Sequence, residues 1–189
     1  MTEPRVQVPS AVLFDRDGTL VVDVPYNADP ALVEPMPTAV EAVRALRSAG
    51  MPLGVVSNQS GVARGLITPT QLHAVNARVE EIFGQFDTWQ VCPHGPEDDC
   101  PCRKPRPGMV LAAAYALGVP ASEVVVIGDI GADMAAAAAA GARGVLVPTA
   151  VTRPEEIRQA KATAATLVDA VSMVLGLPMT RRSPPATVA

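Results

Sequence analysis

Two carboxylates separated by one residue, in Asp15-Arg16-Asp17-Gly18-Thr19, are the first residues of this chain that could do chemistry. Side chains two positions apart on an extended chain project to the same side. Acids so close repel, and they call for a cation or a shared proton. Magnesium would serve, because it is a hard ion that prefers oxygen ligands. With a phosphate ester as reactant, the labour divides between the two acids. Asp15 would attack phosphorus and carry the phosphoryl group as an aspartyl-phosphate. Asp17 would protonate the leaving oxygen, then take a proton from the attacking water. Gly18 would let the backbone turn close to the phosphate. The competing meaning of Asp-Gly is a surface turn with solvated acids.

Three more segments carry matching chemistry. Ser57-Asn58-Gln59-Ser60-Gly61 offers a small hydroxyl and free backbone N–H groups that can hold a phosphoryl oxygen, although a serine-rich turn is the plainer meaning. In Gly128-Asp129-Ile130-Gly131-Ala132-Asp133, Asp129 is placed to reach a metal. Asp133 lies one helical turn further on the same face, where it is equally an acid favoured by a helix N-terminus. In Arg103-Lys104-Pro105-Arg106-Pro107, Lys104 could neutralise the charge that develops on a transferred phosphoryl group. The two prolines stiffen that loop and direct the lysine. Arg64, Arg103 and Arg106 are candidates for a second anionic group or for sugar hydroxyls, which suit the planar fork of arginine.

Cys92-Pro93-His94 and Cys100-Pro101-Cys102 are separated by five residues and contain all three cysteines of the chain. Four soft or borderline ligands within eleven residues match tetrahedral zinc. With every position filled by protein, the zinc is expected to be structural, bracing a loop and so placing Arg103 and Lys104. His73 reads as a partly exposed helix residue with no catalytic part.

These segments need strand ends to hold them, and the chain supplies strands. Short apolar runs at Ala11–Phe14, Pro52–Val56, Thr88–Val91, Val124–Ile127 and Gly144–Val147 read as buried strands. Helical patterns fall between and after them, at Thr38–Ala49, Thr68–Phe83, Pro107–Leu117, Asp133–Ala140, Pro154–Ala162 and Asp169–Leu175. Thr68-Pro69-Thr70-Gln71 is a capping-box start, and Gly50, Gly84, Gly118 and Gly141 are helix stops. Alternating strands and helices imply an α/β fold, a Rossmann-like parallel sheet with helices on both faces. Ligands in such sheets bind at the carboxyl ends of the strands. Residues 1–10 read as an N-terminal tail, 11–177 as a single domain and 178–189 as a C-terminal tail.

The bulk composition narrows the function classes. Hydrophobic residues form 49% of the 189 and charged residues 18%, enough for a buried core. A formal charge of −4 and the lack of a basic block argue against nucleic acid. No apolar segment is long enough to span a bilayer, and Met1–Ser10 lacks a signal-peptide run. A cytoplasmic protein is the expectation, with no membrane partner. Its oligomeric state is not legible.

Taken together, the four strand-end segments resemble the four motifs of the haloacid dehalogenase superfamily, in the usual order, over about residues 11–150. The resemblance implies Asp15 as nucleophile, Asp17 as general acid and base, Ser57 and Lys104 as phosphate binders and Asp129 as a magnesium ligand. It also implies that magnesium is held by Asp15 and by the main-chain carbonyl of Asp17. The stretches Ser57–Gly65 and Cys102–Met109 resemble the D-glycero-D-manno-heptose-1,7-bisphosphate 7-phosphatases within that superfamily. Histidinol-phosphate phosphatases share the zinc loop and the Asp-Arg-Asp-Gly-Thr start. Two features depart from the heptose group: the short interval between His94 and Cys100, and Ile130 where lysine often follows the aspartate. No segment is long enough for a cap domain, so specificity is expected from the loops Val21–Pro35, Ser60–Leu66 and Cys92–Arg106. The implied activity is removal of the C7 phosphate from the heptose bisphosphate. The alternatives are histidinol phosphate, another sugar phosphate, or a zinc-braced binding module without catalysis.

Overall fold

The computed structural model describes residues 8–177. Five parallel strands form one sheet: β1 (Ala11–Phe14), β2 (Leu53–Asn58), β3 (Thr88–Cys92), β4 (Val124–Gly128) and β5 (Arg143–Leu146). Their spatial order is β3-β2-β1-β4-β5. The chain winds outward from β1 to β3, then returns to lay β4 on the other side of β1. That reversal opens a crevice at the carboxyl ends of β1 and β4, where such sheets bind ligands.

Alternation along the strands covers both faces. Val12, Phe14, Val125 and Ile127 join one core cluster with α1 (Ala39–Ser48), α2 (Pro69–Phe83) and α6 (Leu167–Leu175). Ala11, Leu13, Val124 and Val126 join the other, with α3 (Gly108–Ala116) and α4 (Gly131–Ala139). The short helix α5 (Pro154–Gln159) follows β5. Helix α2 starts as its sequence predicts, with Thr68 and Gln71 exchanging capping-box bonds, and ends at Gly84. His73 lies exposed on that helix.

The structure corrects several boundaries. β2 extends through Ser57 and Asn58, because these residues pair with Val91 and Cys92 of β3. Helix α4 begins two residues before Asp133, because the Asp133 carboxylate accepts the Ile130 N–H and caps the first turn (3.2 Å). Helix α5 stops at Gln159 instead of Ala162, because Leu146 N donates to Ala162 O and draws the chain against β5. Helix α6 begins at Leu167, two residues before Asp169, because Thr166 caps it by accepting from Asp169 N. Three 3-10 turns, at Pro30–Leu32, Pro96–Asp98 and Ala121–Glu123, form where the sequence shows no periodicity. No helix among the described residues is long and apolar enough to cross a membrane.

Candidate active site

The ends of β1, β2 and β4 meet in a cavity of about 300 Å³. Asp15, Asp17, Asn58, Lys104 and Asp129 all line it, together with Arg16, Asp23, Tyr26 and Gln59. Asp15 leaves β1 with its N–H donated to Ile127 O of β4 (2.9 Å), which fixes the carboxylate over the crevice. Gly18 then turns the chain at φ 80°, and a Cβ there would collide with the Asp129 carboxylate. Only glycine suits both the positive φ and the close approach.

Lys104 is the buried cation at the centre. Its ammonium donates to Asp15 Oδ1 at 2.5 Å and to Val56 O at 2.8 Å, and it lies 2.6 Å from Asp133 Oδ1. Asn58 fixes the lysine backbone through a two-point clamp. Lys104 N donates to Asn58 Oδ1, and Asn58 Nδ2 donates to Lys104 O, both at 3.1 Å. Burial alone would lower the lysine pKa, but Asp133 and Asp15 outweigh it, and the ammonium is held charged.

Three buried carboxylates, of Asp15, Asp129 and Asp133, bring oxygen atoms within 4.8 Å of one another. One ammonium cannot balance them. Burial raises Asp15 well above the usual carboxylate range, and Asp133 and Asp17 add to that against the pull of Lys104. Burial, then the charge of Asp133, pushes Asp129 up to about 7. A divalent ion with oxygen ligands fits this surplus of negative charge. The main-chain carbonyl of Asp17 accepts no backbone hydrogen bond among the described residues. Thr19 Oγ1 lies 3.5 Å from Asp129 Oδ1, and Thr149 Oγ1 lies 3.4 Å from Asp129 Oδ2. Thr152 Oγ1 donates to the Asp129 carbonyl at 2.6 Å.

Asp17 is held by its neighbours. Arg16, only 2% exposed, forks onto both of its oxygens at 3.0 and 2.9 Å and is itself anchored by Asn76 of α2 at 2.7 Å. Gln59 Nε2 donates to Asp17 Oδ2 at 2.6 Å and to Ser57 Oγ at 2.8 Å. Ser57 is buried at the end of β2.

The fold is that of a known phosphatase complex. The structure superposes with a TM-score of 0.77 on the D,D-heptose 1,7-bisphosphate phosphatase of Bordetella bronchiseptica crystallised with magnesium and phosphate. The two are 29% identical, and the match covers 88% of this chain and 98% of that one. The D-glycero-β-D-manno-heptose-1,7-bisphosphate 7-phosphatase of Pseudomonas aeruginosa is 38% identical over 145 residues, 74% of this chain and 82% of the relative. The corresponding enzyme of Mesorhizobium japonicum is 40% identical over 72% of this chain and 69% of its own length. Residues 101–174 match the HAD-hydrolase-like family model. The chain belongs to the haloacid dehalogenase family of phosphatases. It is a phosphoric monoester hydrolase, and its parallel sheet is the fold expected from the sequence.

The arginines sit differently around this phosphatase site. Arg64 is exposed, stacks 5.7 Å from the Tyr26 ring centroid and donates to Tyr26 Oη at 2.6 Å, beside the cavity mouth. Arg103 and Arg106 are not brought into the cavity. Arg103 donates to His94 O at 3.3 Å, while Arg106 donates to Cys100 O at 2.5 Å and pairs with Asp99. Both are tied to the cysteine loop. Ile130 lines the cavity as an apolar wall.

That loop gathers its four ligands as the spacing predicts. Cys92 Sγ lies 3.6 Å from His94 Nδ1, 3.6 Å from Cys100 Sγ and 3.2 Å from Cys102 Sγ. His94 Nδ1 and Cys102 Sγ are 3.2 Å apart. With Zn–S bonds of about 2.3 Å, a tetrahedron has S–S edges of about 3.8 Å, so the cluster is nearly the size of a zinc site. Burial and the hydrogen bond with Cys102 push the Cys92 thiol up to about 12, so a metal would bind by displacing its proton.

Several residues around the site carry little signal in the sequence. Arg16 and Gln59 adjoin recognised residues, so their neighbours were the available signal. Asn76, Thr149 and Thr152 lie far along the chain and carry no motif.

Proposed function

We propose that the protein removes the C7 phosphate of D-glycero-β-D-manno-heptose 1,7-bisphosphate through a phosphoryl group carried on Asp15. The observation that supports this best is the state of the Asp15 carboxylate. Lys104 occupies Oδ1, and Oδ2 has no hydrogen-bond partner among the described residues at the floor of the cavity. In the first step an electron pair of Oδ2 forms the bond to phosphorus, and the ester P–O bond breaks toward the sugar oxygen. Asp17 gives that oxygen its proton. In the second step Asp17 takes a proton from water as its oxygen attacks phosphorus, and Asp15 is released as the carboxylate. Ser57 Oγ and the Lys104 ammonium bind the equatorial phosphoryl oxygens. Asn58, with its amide engaged on the Lys104 peptide, serves by fixing the lysine.

Asp15, Asp129 and the carbonyl of Asp17 are the residues that would hold magnesium. The ion would offset the charge of the phosphoryl oxygens and of the crowded acids. The four cysteine and histidine ligands would hold a structural zinc that braces the loop carrying Lys104. In this reading residues 11–177 are one phosphatase domain that works on a cytoplasmic sugar phosphate.

The substrate rests on the heptose bisphosphate phosphatases to which the chain is similar. Arg64, which stacks on the lining residue Tyr26, is the cation assigned in this reading to the distal phosphate. Histidinol phosphate is favoured by a different observation, that Asp23 and Tyr26 line the cavity and suit an amine and an imidazole. The deciding experiment is kcat/KM for the heptose bisphosphate against histidinol phosphate and fructose bisphosphate. The heptose bisphosphate should win, and Arg64→Ala should penalise it more than a monophosphate. Preference for histidinol phosphate would overturn the substrate while leaving the phosphatase chemistry intact.

A further inference from the structure

Gln59 has no role in the chemistry described so far, yet it is 6% exposed, lines the cavity and touches two of the reacting groups. Its side-chain orientation is dictated by chemistry. Asp17 as a carboxylate can only accept, so the amide nitrogen must face it. That nitrogen carries two hydrogens. One goes to Asp17 Oδ2 at 2.6 Å and the other to Ser57 Oγ at 2.8 Å. Its backbone is fixed as well, since Gln59 N donates to Cys92 O at 2.7 Å. One residue, through its side-chain amide and its backbone N–H, therefore ties the end of β2, the loop after β1 and the cysteine cluster together.

We propose that Gln59 is a positioning residue that aims both the Asp17 proton and the Ser57 hydroxyl, a reading that rests on the aspartyl-phosphate chemistry above. At Asp17, Oδ2 receives two donors, Gln59 Nε2 and Arg16 Nη2, whereas Oδ1 receives only Arg16 Nε. The free lone pair is on Oδ1, which is where the transferable proton sits. As the ester P–O bond breaks, its electron pair stays on the leaving oxygen and the Oδ1 proton moves to it. At Ser57, Oγ accepts from Gln59 and donates to nothing among the described residues. Its hydrogen is left for a phosphoryl oxygen. Without the amide, the Asp17 carboxyl loses the donor that pins Oδ2, and the proton is no longer held on one oxygen.

The test uses leaving groups. A sugar oxygen departs badly without a proton, whereas p-nitrophenolate departs without one. Gln59→Ala should therefore lose at least about tenfold more kcat/KM on the alkyl phosphate that the wild-type protein hydrolyses fastest than on p-nitrophenyl phosphate, a modest part of the whole acid contribution. Gln59→Met, which keeps the length and volume but has no donor, should show the same discrimination and guards against a collapsed loop. In an Asp17→Asn background, Gln59→Ala should add no discrimination, because the group it aims is gone. Equal losses on both esters, or undiminished discrimination without Asp17, would overturn the proposal alone. Turnover by Asp15→Asn at the wild-type rate would instead remove the aspartyl-phosphate reading, and this proposal with it.

Discussion

Lys104 is the residue on which the site's charge balance turns. Its ammonium is within 2.6 Å of both Asp15 and Asp133, and it is 4% exposed. Lys104→Met keeps the length but leaves buried acids facing one another. We expect kcat to fall about 10²–10³-fold with magnesium saturating, the usual cost of removing a preorganised charge partner of the reacting oxygens. Steady-state kinetics on p-nitrophenyl phosphate would check this, and a loss confined to KM would contradict it. Asp17→Asn should cost about 10²–10⁴-fold on a sugar phosphate and less on the aryl ester. Asp15, Asp17, Asn58 and Asp129 were legible because they sit at or just after strand ends, and Lys104 because it lies in a proline-stiffened basic loop, each in a short pattern whose chemistry is recognisable locally. Their supports were not. Arg16 is anchored by Asn76 sixty residues away, and Asp129 is flanked by Thr149 twenty residues away. Such pairs are brought together only by folding. Arg103 and Arg106 show the converse. Their charge was legible, but whether that charge faced the cavity or the loop depended on the cysteine cluster's geometry.

At the scale of elements, the strands carry the reacting groups and the cysteine loop holds one of them in place. The loop reaches the site through several bonds: Gln59 N to Cys92 O, Ala63 N to Pro93 O, Arg103 to His94 O and the clamp of Asn58 on Lys104. Cys100→Ser should therefore lose bound zinc, lower Tm and reduce kcat more than it raises KM for magnesium. Elemental analysis, thermal unfolding and kinetics on one preparation would check this. Zinc-free wild-type protein, purified without chelator, would contradict the site. The strands themselves were legible from apolar runs, and α2 from its capping box. The starts of α4 and α6 were not, because Asp133 and Asp169 suit a first helical position as well as the capping place inside the first turn where they lie. The 3-10 turns were missed because three residues contain too little periodicity to register.

At the scale of the molecule, the described residues form a sheet with no cap domain, whose acids are crowded more closely than their own cation can offset. This links metal, pH and stability. In the unfolded chain Asp129 releases its proton near 3.8, whereas in the fold it keeps it up to about 7, and Asp15 shifts the same way. Between those values the unfolded state binds fewer protons, so metal-free stability falls as pH rises. Magnesium binding would replace those protons. The gain in Tm on adding magnesium should therefore grow between about pH 5 and pH 7.5, the window set by the raised acids. A gain that is flat or shrinks over that window would contradict the metal assignment. The central claim is that the phosphoryl group passes through Asp15. Its most direct test is rapid acid quench during turnover of a labelled phosphate ester, followed by peptide mapping of the labelled protein and, on a parallel sample, by borohydride reduction, which expels the phosphate and leaves homoserine at the phosphorylated position. The label, and the reduced residue, should appear at Asp15 and at no other site, and Asp15→Asn should show neither label nor turnover. Turnover with no label on Asp15, or undiminished activity in Asp15→Asn, would contradict it.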